Sequence, residues 1–368
     1  MTDKITVRAE AERLFAFFKA AGARPVDADL LQPAETLLDL YGEDIRARAY
    51  VTQDPDRGEM MLRPDFTLPV VQMHMTHGGQ PARYSYLGEV FRKQQAGSGR
   101  ATEYLQVGYE LFDREDPERA DAEVFALFDE VLSPLGLRPA TGDIGILTAA
   151  VQTLRTTERR KNALLRHIWR PRRFRALLDR FTGRAAPDPS RLDLLEKVAQ
   201  NGAGAVIDQA GPEIGLRRRA DVLARIEALQ ADMAEPPISR SEAEVLDEVL
   251  AIRETLPNAH QHLRDITVDL PGLTPSVERM ARRMDALSTA GIVVGDLPFE
   301  ASFGRTTLEY YDGFVFGFMA EGRPDLPPVA TGGRYDALTR VLGRGQEIPA
   351  VGGVIRPELV QLLREGLA

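Results

Sequence analysis

Apolar positions along this chain follow two periods, and the switch between them marks its organisation. Residues 6–21 group Leu14, Phe15, Phe17 and Phe18 at helical spacing and stop at Gly22, which predicts an amphipathic first helix with a glycine at its C-cap. From Arg46 the runs shorten: RARAYVTQDPDRGEMMLRPD sets the turn residues 54–58 between two strand-like pieces, predicting a hairpin that leads into LRPDFT. YSYLGEVFRK and ATEYLQVGYELFD, separated by the glycine-bearing QQAGSG, predict a second antiparallel hairpin. Asp116 as cap, Pro117 at the first helical position and Val124, Phe125, Phe128, Val131 and Leu132 at helical spacing predict a helix that Gly136 closes.

Beyond residue 150 the character changes. Long charged helical patterns such as RLDLLEKVAQNG and ADVLARIEALQADMAE, broken at Pro236 and Pro237, predict a mainly helical insertion over residues 151–262. Strand signals return with DITVDL, GIVVGDL, TLEYYDGFVFGFMA and PVATGGRYDAL, and a short helix is predicted from Pro357. Hairpin-paired strands in residues 1–150 and 263–368, flanking a helical block, imply an α+β fold: a mainly antiparallel sheet with covering helices.

Composition narrows the function. With 368 residues, 43% hydrophobic and 27% charged, the chain can build one large core and a smaller appended unit. It has no cysteine, so disulfides, a thiolate nucleophile and cysteine-ligated metal clusters are excluded and a cytoplasmic address is expected. No segment approaches the ~18 uninterrupted apolar residues of a membrane span, so no membrane partner is expected. A formal net charge of -9 argues against wholesale nucleic-acid binding, although residues 155–184 are strongly basic. That block is open to two readings, a solvated helical face or a docking surface for a partner. His74 with His77, and His260 with His262 at strand-like parity, lack an accompanying acidic pattern, so neither a metal nor a cofactor is expected.

The second hairpin carries the candidate chemistry. Strand parity puts Leu105, Val107, Tyr109 and Leu111 on one face and Gln106, Gly108 and Glu110 on the other. The second face offers an amide and a carboxylate ~13 Å apart with a glycine leaving space between them, which is either a small polar pocket or a solvated sheet face. Arg92 and Arg100 flank the glycine loop, where they can hold a carboxylate or phosphate or simply face water.

GEVFRKQQAGSGRATEYLQVGYELF resembles the second signature motif of class II aminoacyl-tRNA synthetases in its histidyl form. In order along the chain, LRPDFT resembles LRPEGT of that family, EYYDGFVF resembles DYYTGTVFE, TGGRYDAL resembles AGGRYDGL, and PAVGGVIRPELV resembles the third class II motif. The resemblance implies a class II synthetase-like antiparallel sheet flanked by helices. It places the groups that hold the α-ammonium of histidine on Asp65, Thr67 and Gln106, and those that hold the imidazole on Glu110 and Tyr311, with Tyr310 beside them and Arg92 and Arg100 near the carboxylate end. A carboxylate and a phenol at the ring nitrogens would reject an apolar isostere, which leaves buried polar groups unpaired.

The nucleotide half departs from the family. Thr306 stands where the family has an arginine, Leu359 where it has the adenine-stacking arginine, and Gln94 where it has an acid. Strand parity turns the adjacent Arg305 to the opposite face, and Arg356, three residues before Leu359, is not expected to share its pocket. From Arg356 only RPELVQLLREGLA follows, where a synthetase continues into an anticodon-binding domain.

This combination resembles the regulatory subunits of ATP phosphoribosyltransferase, which implies no catalytic residues, histidine as ligand, a short-form catalytic subunit as partner and no tRNA. It also implies a homodimer, formed through the region from Leu30 to Leu40, within a hetero-oligomer. A truncated histidine-activating enzyme and a scaffold with a fossil pocket remain the alternatives.

Overall fold

The computed structural model describes residues 3–41, 46, 48–94, 97, 100–212, 214, 216–305 and 310–367. Along the chain run α1 (Lys4–Ala20), β1 (Arg24–Pro25), β2 (Leu31–Pro33), α2 (Ala34–Tyr41), β3 (Val51–Asp54), β4 (Gly58–Leu62), α3 (Thr67–His77), β5 (Ala82–Phe91), β6 (Glu103–Phe112), α4 (Pro117–Leu132), β7 (Arg138–Asp143) and α5 (Ile144–Thr153). The helices α6 (Glu158–Arg166), α7 (Pro171–Phe181), α8 (Pro189–Asn201), α9 (Ala203–Gln209), α10 (Arg219–Ala234) and α11 (Arg240–Ala251) follow. The chain then forms β8 (Arg253–Thr255), α12 (Leu256–Ile266), α13 (Thr274–Thr289), β9 (Pro298–Glu300), β10 (Phe314–Met319), β11 (Ala330–Arg334), α14 (Asp336–Leu342), β12 (Ala350–Ile355) and α15 (Pro357–Leu367). Two compact units result, residues 1–149 with 249–368, and residues 150–248.

The first unit is built on a nine-stranded sheet in the order β1-β5-β6-β12-β11-β10-β7-β9-β8, antiparallel except for the β1–β5 and β7–β9 pairs. A separate antiparallel sheet, β2-β4-β3, contains the hairpin expected at residues 54–58. The second expected hairpin forms over ten paired positions, from Ala82↔Phe112 to Phe91↔Glu103.

One face of the large sheet is a phenylalanine core. In α1, Val7, Ala11, Leu14 and Phe18 fall on one stripe, Asp3 caps the first turn and Gly22 takes a left-handed φ of 93° just beyond the C-terminus. In α4, the Asp116 carboxylate accepts from Arg119 N at 3.0 Å, Pro117 opens the helix, and Gly136 stops the following turn with φ 56°. Phe128 of α4 lies 5.2 Å from Phe18 and 5.4 Å from Phe316, while Phe125 lies 5.5 Å from Phe316 and 5.4 Å from Phe318. Both helices are thereby fixed against β10 and its neighbours.

The later strand signals need correction. DITVDL is the end of α12 followed by a turn with Val268 81% exposed, because Leu256, Ala259, Leu263 and Ile266 bury as a helical stripe that leaves nothing for a strand face. GIVVGDL is a turn with Val293 75% exposed, and the strand there is only Pro298–Glu300. His260 and His262 therefore sit on a helix, and His262 pairs with Glu254 at 2.9 Å. In the TLEYYDGFVFGFMA segment the strand begins at Phe314. Residues 249–262, read from the sequence as the end of the helical block, contribute β8 and most of α12 to the first unit.

The second unit is helical. Its basic block is partly neutralised internally: Arg160 pairs with Asp232 at 2.7 Å, Arg184 with Asp247 at 2.6 Å, and Lys161 with Glu158 at 3.1 Å. α7 buries Phe174, Leu178 and Phe181 and leaves Arg172 and Arg173 exposed. No helix among the described residues is long and apolar enough to cross a membrane.

Phe128 ties α1, α4 and β10 together, so Phe128→Ala should cost ~3–5 kcal/mol in urea unfolding. A loss below about 1 kcal/mol would show that the ring is not what fixes these helices.

Candidate functional site

The opposite face of β6 is as buried as the first. Gln106 and Glu110 are both fully buried, which removes the solvated-face reading. Glu110 Oε1 accepts from Thr67 Oγ1 and from the Tyr86 hydroxyl, each at 2.9 Å, and Oε2 accepts from the Tyr335 hydroxyl at 2.5 Å. β12 makes room for this carboxyl. Gly352 pairs with Glu110 across the ladder, and a Cβ at Gly352 would fall 1.5 Å from Oε2. Burial pushes the Glu110 pKa up to about 7, the three hydroxyl donors pull the other way, and the nearby Asp65 charge adds to the rise.

The remaining expected residues gather here. Thr67 heads α3, and Tyr310 OH lies 3.4 Å from its Oγ1. Tyr310 and Tyr311 meet edge to face at 4.9 Å, and Tyr311 is buried, its hydroxyl pKa raised by burial and by the Glu110 charge. Asp65 is buried, accepts from Leu68 N at 3.4 Å, and is close enough for its charge to act on Glu110, Tyr86 and Tyr311. Gln106 follows on the same strand face. Neither its Oε1 nor its Nε2 has a hydrogen-bond partner among the described residues.

Arg92 donates from Nε to the Pro64 carbonyl at 2.7 Å, and its charge reaches Tyr311. Arg92 and Arg100 together line a cavity of about 560 Å³ whose wall also includes Gln94, Tyr104, Arg356 and Leu359. This corrects the expectation for Arg356: three residues apart at the start of α15, it and Leu359 face the same space. Parity does not govern Arg305 either, since residues 301–305 form turns rather than a strand. Thr306 lies outside the described residues.

Gly108 also needs reinterpretation. It does not leave open space: a Cβ there would fall 2.2 Å from the ring of Tyr86, which stands opposite it on β5 and stacks on Phe66 at 4.4 Å. The glycine admits the tyrosine that holds Glu110. Sequence reasoning missed Tyr86, Tyr335 and Gly352. The signal for Tyr86 was its parity on β5, and the other two sit inside the TGGRYDAL and PAVGGVIRPELV segments.

With this geometry established, comparison with known proteins is informative. A family model described as histidyl-tRNA synthetase matches residues 4–245 and 233–360. An ATP phosphoribosyltransferase regulatory subunit from Rhizobium rhizogenes is 32% identical, with 95% of this chain and 96% of that protein covered. A solved structure from Bacillus halodurans, described as an ATP phosphoribosyltransferase regulatory subunit/histidyl-tRNA synthetase, superposes with a TM-score of 0.67 at 19% identity, covering 99% of this chain and 81% of that one. A histidine–tRNA ligase subunit from Alicyclobacillus acidocaldarius gives 0.59 at 24% identity, covering 100% and 96%. At these identities the two superpositions speak for the fold alone: a class II synthetase-like α+β fold.

The raised pKa of Glu110 sets a direction for stability. Below pH 4.5 the carboxyl is protonated folded or unfolded; between 4.5 and about 7 only the unfolded chain releases the proton, so stability falls as pH rises through that window. Glu110→Gln should flatten this dependence by about 3 kcal/mol between pH 4.5 and 7.5, read by denaturant unfolding without histidine. Identical pH profiles for the two proteins would refute it.

Proposed function

Since this chain belongs to the histidyl-tRNA synthetase family, among the regulatory subunits of ATP phosphoribosyltransferase, we propose that it senses histidine and passes feedback control to a short-form catalytic subunit in the first step of histidine biosynthesis. The observation that carries this reading is Gln106, a fully buried amide neither of whose polar atoms has a hydrogen-bond partner among the described residues. Leaving a buried polar group unpaired costs ~1–3 kcal/mol, a cost the fold sustains because a ligand completes the bonds. Asp65, Thr67 Oγ1 and Gln106 Oε1 are one anion and two neutral acceptors, the set an α-ammonium requires. Glu110 and Tyr311 then address the imidazole.

Feedback requires differential affinity. Histidine controls the complex to the extent that it binds one of its arrangements more tightly than another. Dimerisation through β2 and α2 belongs to the same reading, and Leu30, at the start of that region, is 48% exposed. Chemistry of its own is not part of the proposal, because Leu359 cannot stack on adenine as a guanidinium does and Gln94 brings no charge to strengthen a hydrogen bond from its amino group. Arg356, in the same cavity as Leu359, favours one second reading, a histidine-activating enzyme in which Arg356 supplies the missing cation.

Calorimetric titration of histidine into the chain, alone and with a short-form catalytic subunit, decides between these readings when histidine-dependent ATP–pyrophosphate exchange is assayed in parallel. Binding without exchange supports the sensor, exchange supports the enzyme, and no binding in either sample reduces the protein to a scaffold. Gln106→Leu sharpens the test. It should stabilise the histidine-free protein by about 1–2 kcal/mol while abolishing histidine inhibition of the complex, since it removes a buried unsatisfied amide and a ligand contact together. Normal inhibition in that variant would reject the site.

A further inference from the structure

Within the helical unit, residues 150–248, arginines from three helices converge on one carboxylate and one ring. Arg160 of α6 donates from Nε to Asp232 Oδ1 at 2.7 Å, and Arg191 of α8 donates from Nη2 to Asp232 Oδ2 at 2.6 Å. Arg160 and Arg180 of α7 both stand over the ring of Phe181, at 5.3 Å and 4.8 Å. Arg160 is saturated, since its other nitrogens reach the carbonyls of Asp232 and Pro236 at 2.7 Å and Glu235 at 3.2 Å. Its neighbours are not. Arg159 Nη1 and Arg191 Nε are shielded from solvent and have no hydrogen-bond partner among the described residues. Burial together with the like charges of Arg225 and Arg191 depresses the basicity of Arg159, and burial together with Arg191 does the same to Arg180.

Asp232 has both oxygens committed, so the group carries more guanidinium charge than its carboxylate balances. Uncompensated, partly desolvated cations repel one another, and an arrangement that holds them together is stabilised by whatever anion enters. Guanidinium groups match planar and tetrahedral oxyanions with paired N–H donors, and they bind phosphoryl oxygens in bidentate fashion. We propose that Arg159, Arg180, Arg191 and Arg225 form a binding site for a phosphoryl oxyanion in the helical unit, distinct from the cavity lined by Arg92, Arg100 and Arg356. Arg180 and Arg225 are exposed, whereas Arg160, which holds Asp232, is buried. The site does not depend on the histidine reading.

The test is calorimetric titration of sodium pyrophosphate into the full chain and into the double variant Arg159→Gln/Arg225→Gln, whose two side chains make no hydrogen bond or ion pair among the described residues. Wild-type protein should bind, and the double variant about tenfold or more weaker, the equivalent of one charge-assisted hydrogen bond. Without pyrophosphate the variant should unfold at an equal or higher temperature, because like charges have been removed, and it should lose the rise in Tm that pyrophosphate gives the wild type. Arg240→Gln, at an exposed arginine of the same unit that pairs with Glu244, should bind pyrophosphate as wild type does. Separate titrations of orthophosphate, pyrophosphate and ATP identify the source, the tightest of the three showing whether the phosphoryl group arrives free or on a nucleotide. The proposal is overturned by no binding at millimolar pyrophosphate, by undiminished binding in the double variant, or by an equal loss of binding in Arg240→Gln.

Discussion

Everything on the pocket side of the large sheet is arranged around one buried carboxyl, that of Glu110. A carboxyl out of contact with water must be neutralised or surrounded by donors, and here Thr67, Tyr86 and Tyr335 close around it from α3, β5 and the end of β11. Each donor imposes its own condition. Tyr86 can reach only because Gly108 has no side chain, and Glu110 can lie flat only because Gly352 has none. A strand order that sets β6 between β5 and β12 is therefore also the means by which one acid acquires its hydrogen bonds.

Two polar groups on the same strand face are treated oppositely. Glu110 has every contact it needs from the protein, which fixes its orientation before any ligand arrives. Gln106 has none among the described residues, so its desolvation weakens the fold, and on the proposed reading the ligand's contacts offset that cost. On the proposed reading, a rigid acid on the same strand face as an unsatisfied amide combines selectivity with a reserve of binding energy, at some expense of stability. The same logic separates Arg160, whose guanidinium is saturated in the helical unit, from Arg159, whose is not.

Much of this was legible in the sequence because it depended on local rules. The caps at Asp116 and Gly136, the two hairpins and the parity of β6 are short-range consequences of turn chemistry and strand period, and they recur in the structure. The failures were failures of context. DITVDL has strand-like composition, but its Ile266 belongs to the helical stripe of α12, leaving Val268 exposed in the turn that follows, and in GIVVGDL Val293 is likewise exposed outside any strand. The site was visible as a set of residues yet not as a volume: Gly108 read as space when only pairing with β5 reveals that Tyr86 fills it, and Arg356 read as facing elsewhere when the start of α15 turns it toward Leu359. Parity and motif identify which side chains share a face. They do not say what comes across from the next strand.

The cavity next to the pocket shows why retained charge differs from retained catalysis. Arg48, Arg92, Arg100 and Arg356 still line it, so an anion entering there would meet a positive field. Rate enhancement needs more: donors set where charge develops in the transition state, with the base of the nucleotide held so that its α-phosphate stands in line. On the proposed reading, Leu359 and Gln94 stand where the resemblance places the stacking cation and the carboxylate that hold adenine in register, and the arginines lining the cavity supply charge without that register. Binding of that kind occupies a site without accelerating a reaction. On the proposed reading, a pocket for an amino acid beside a cavity without those two groups would report concentration, because the ligand it holds leaves unchanged.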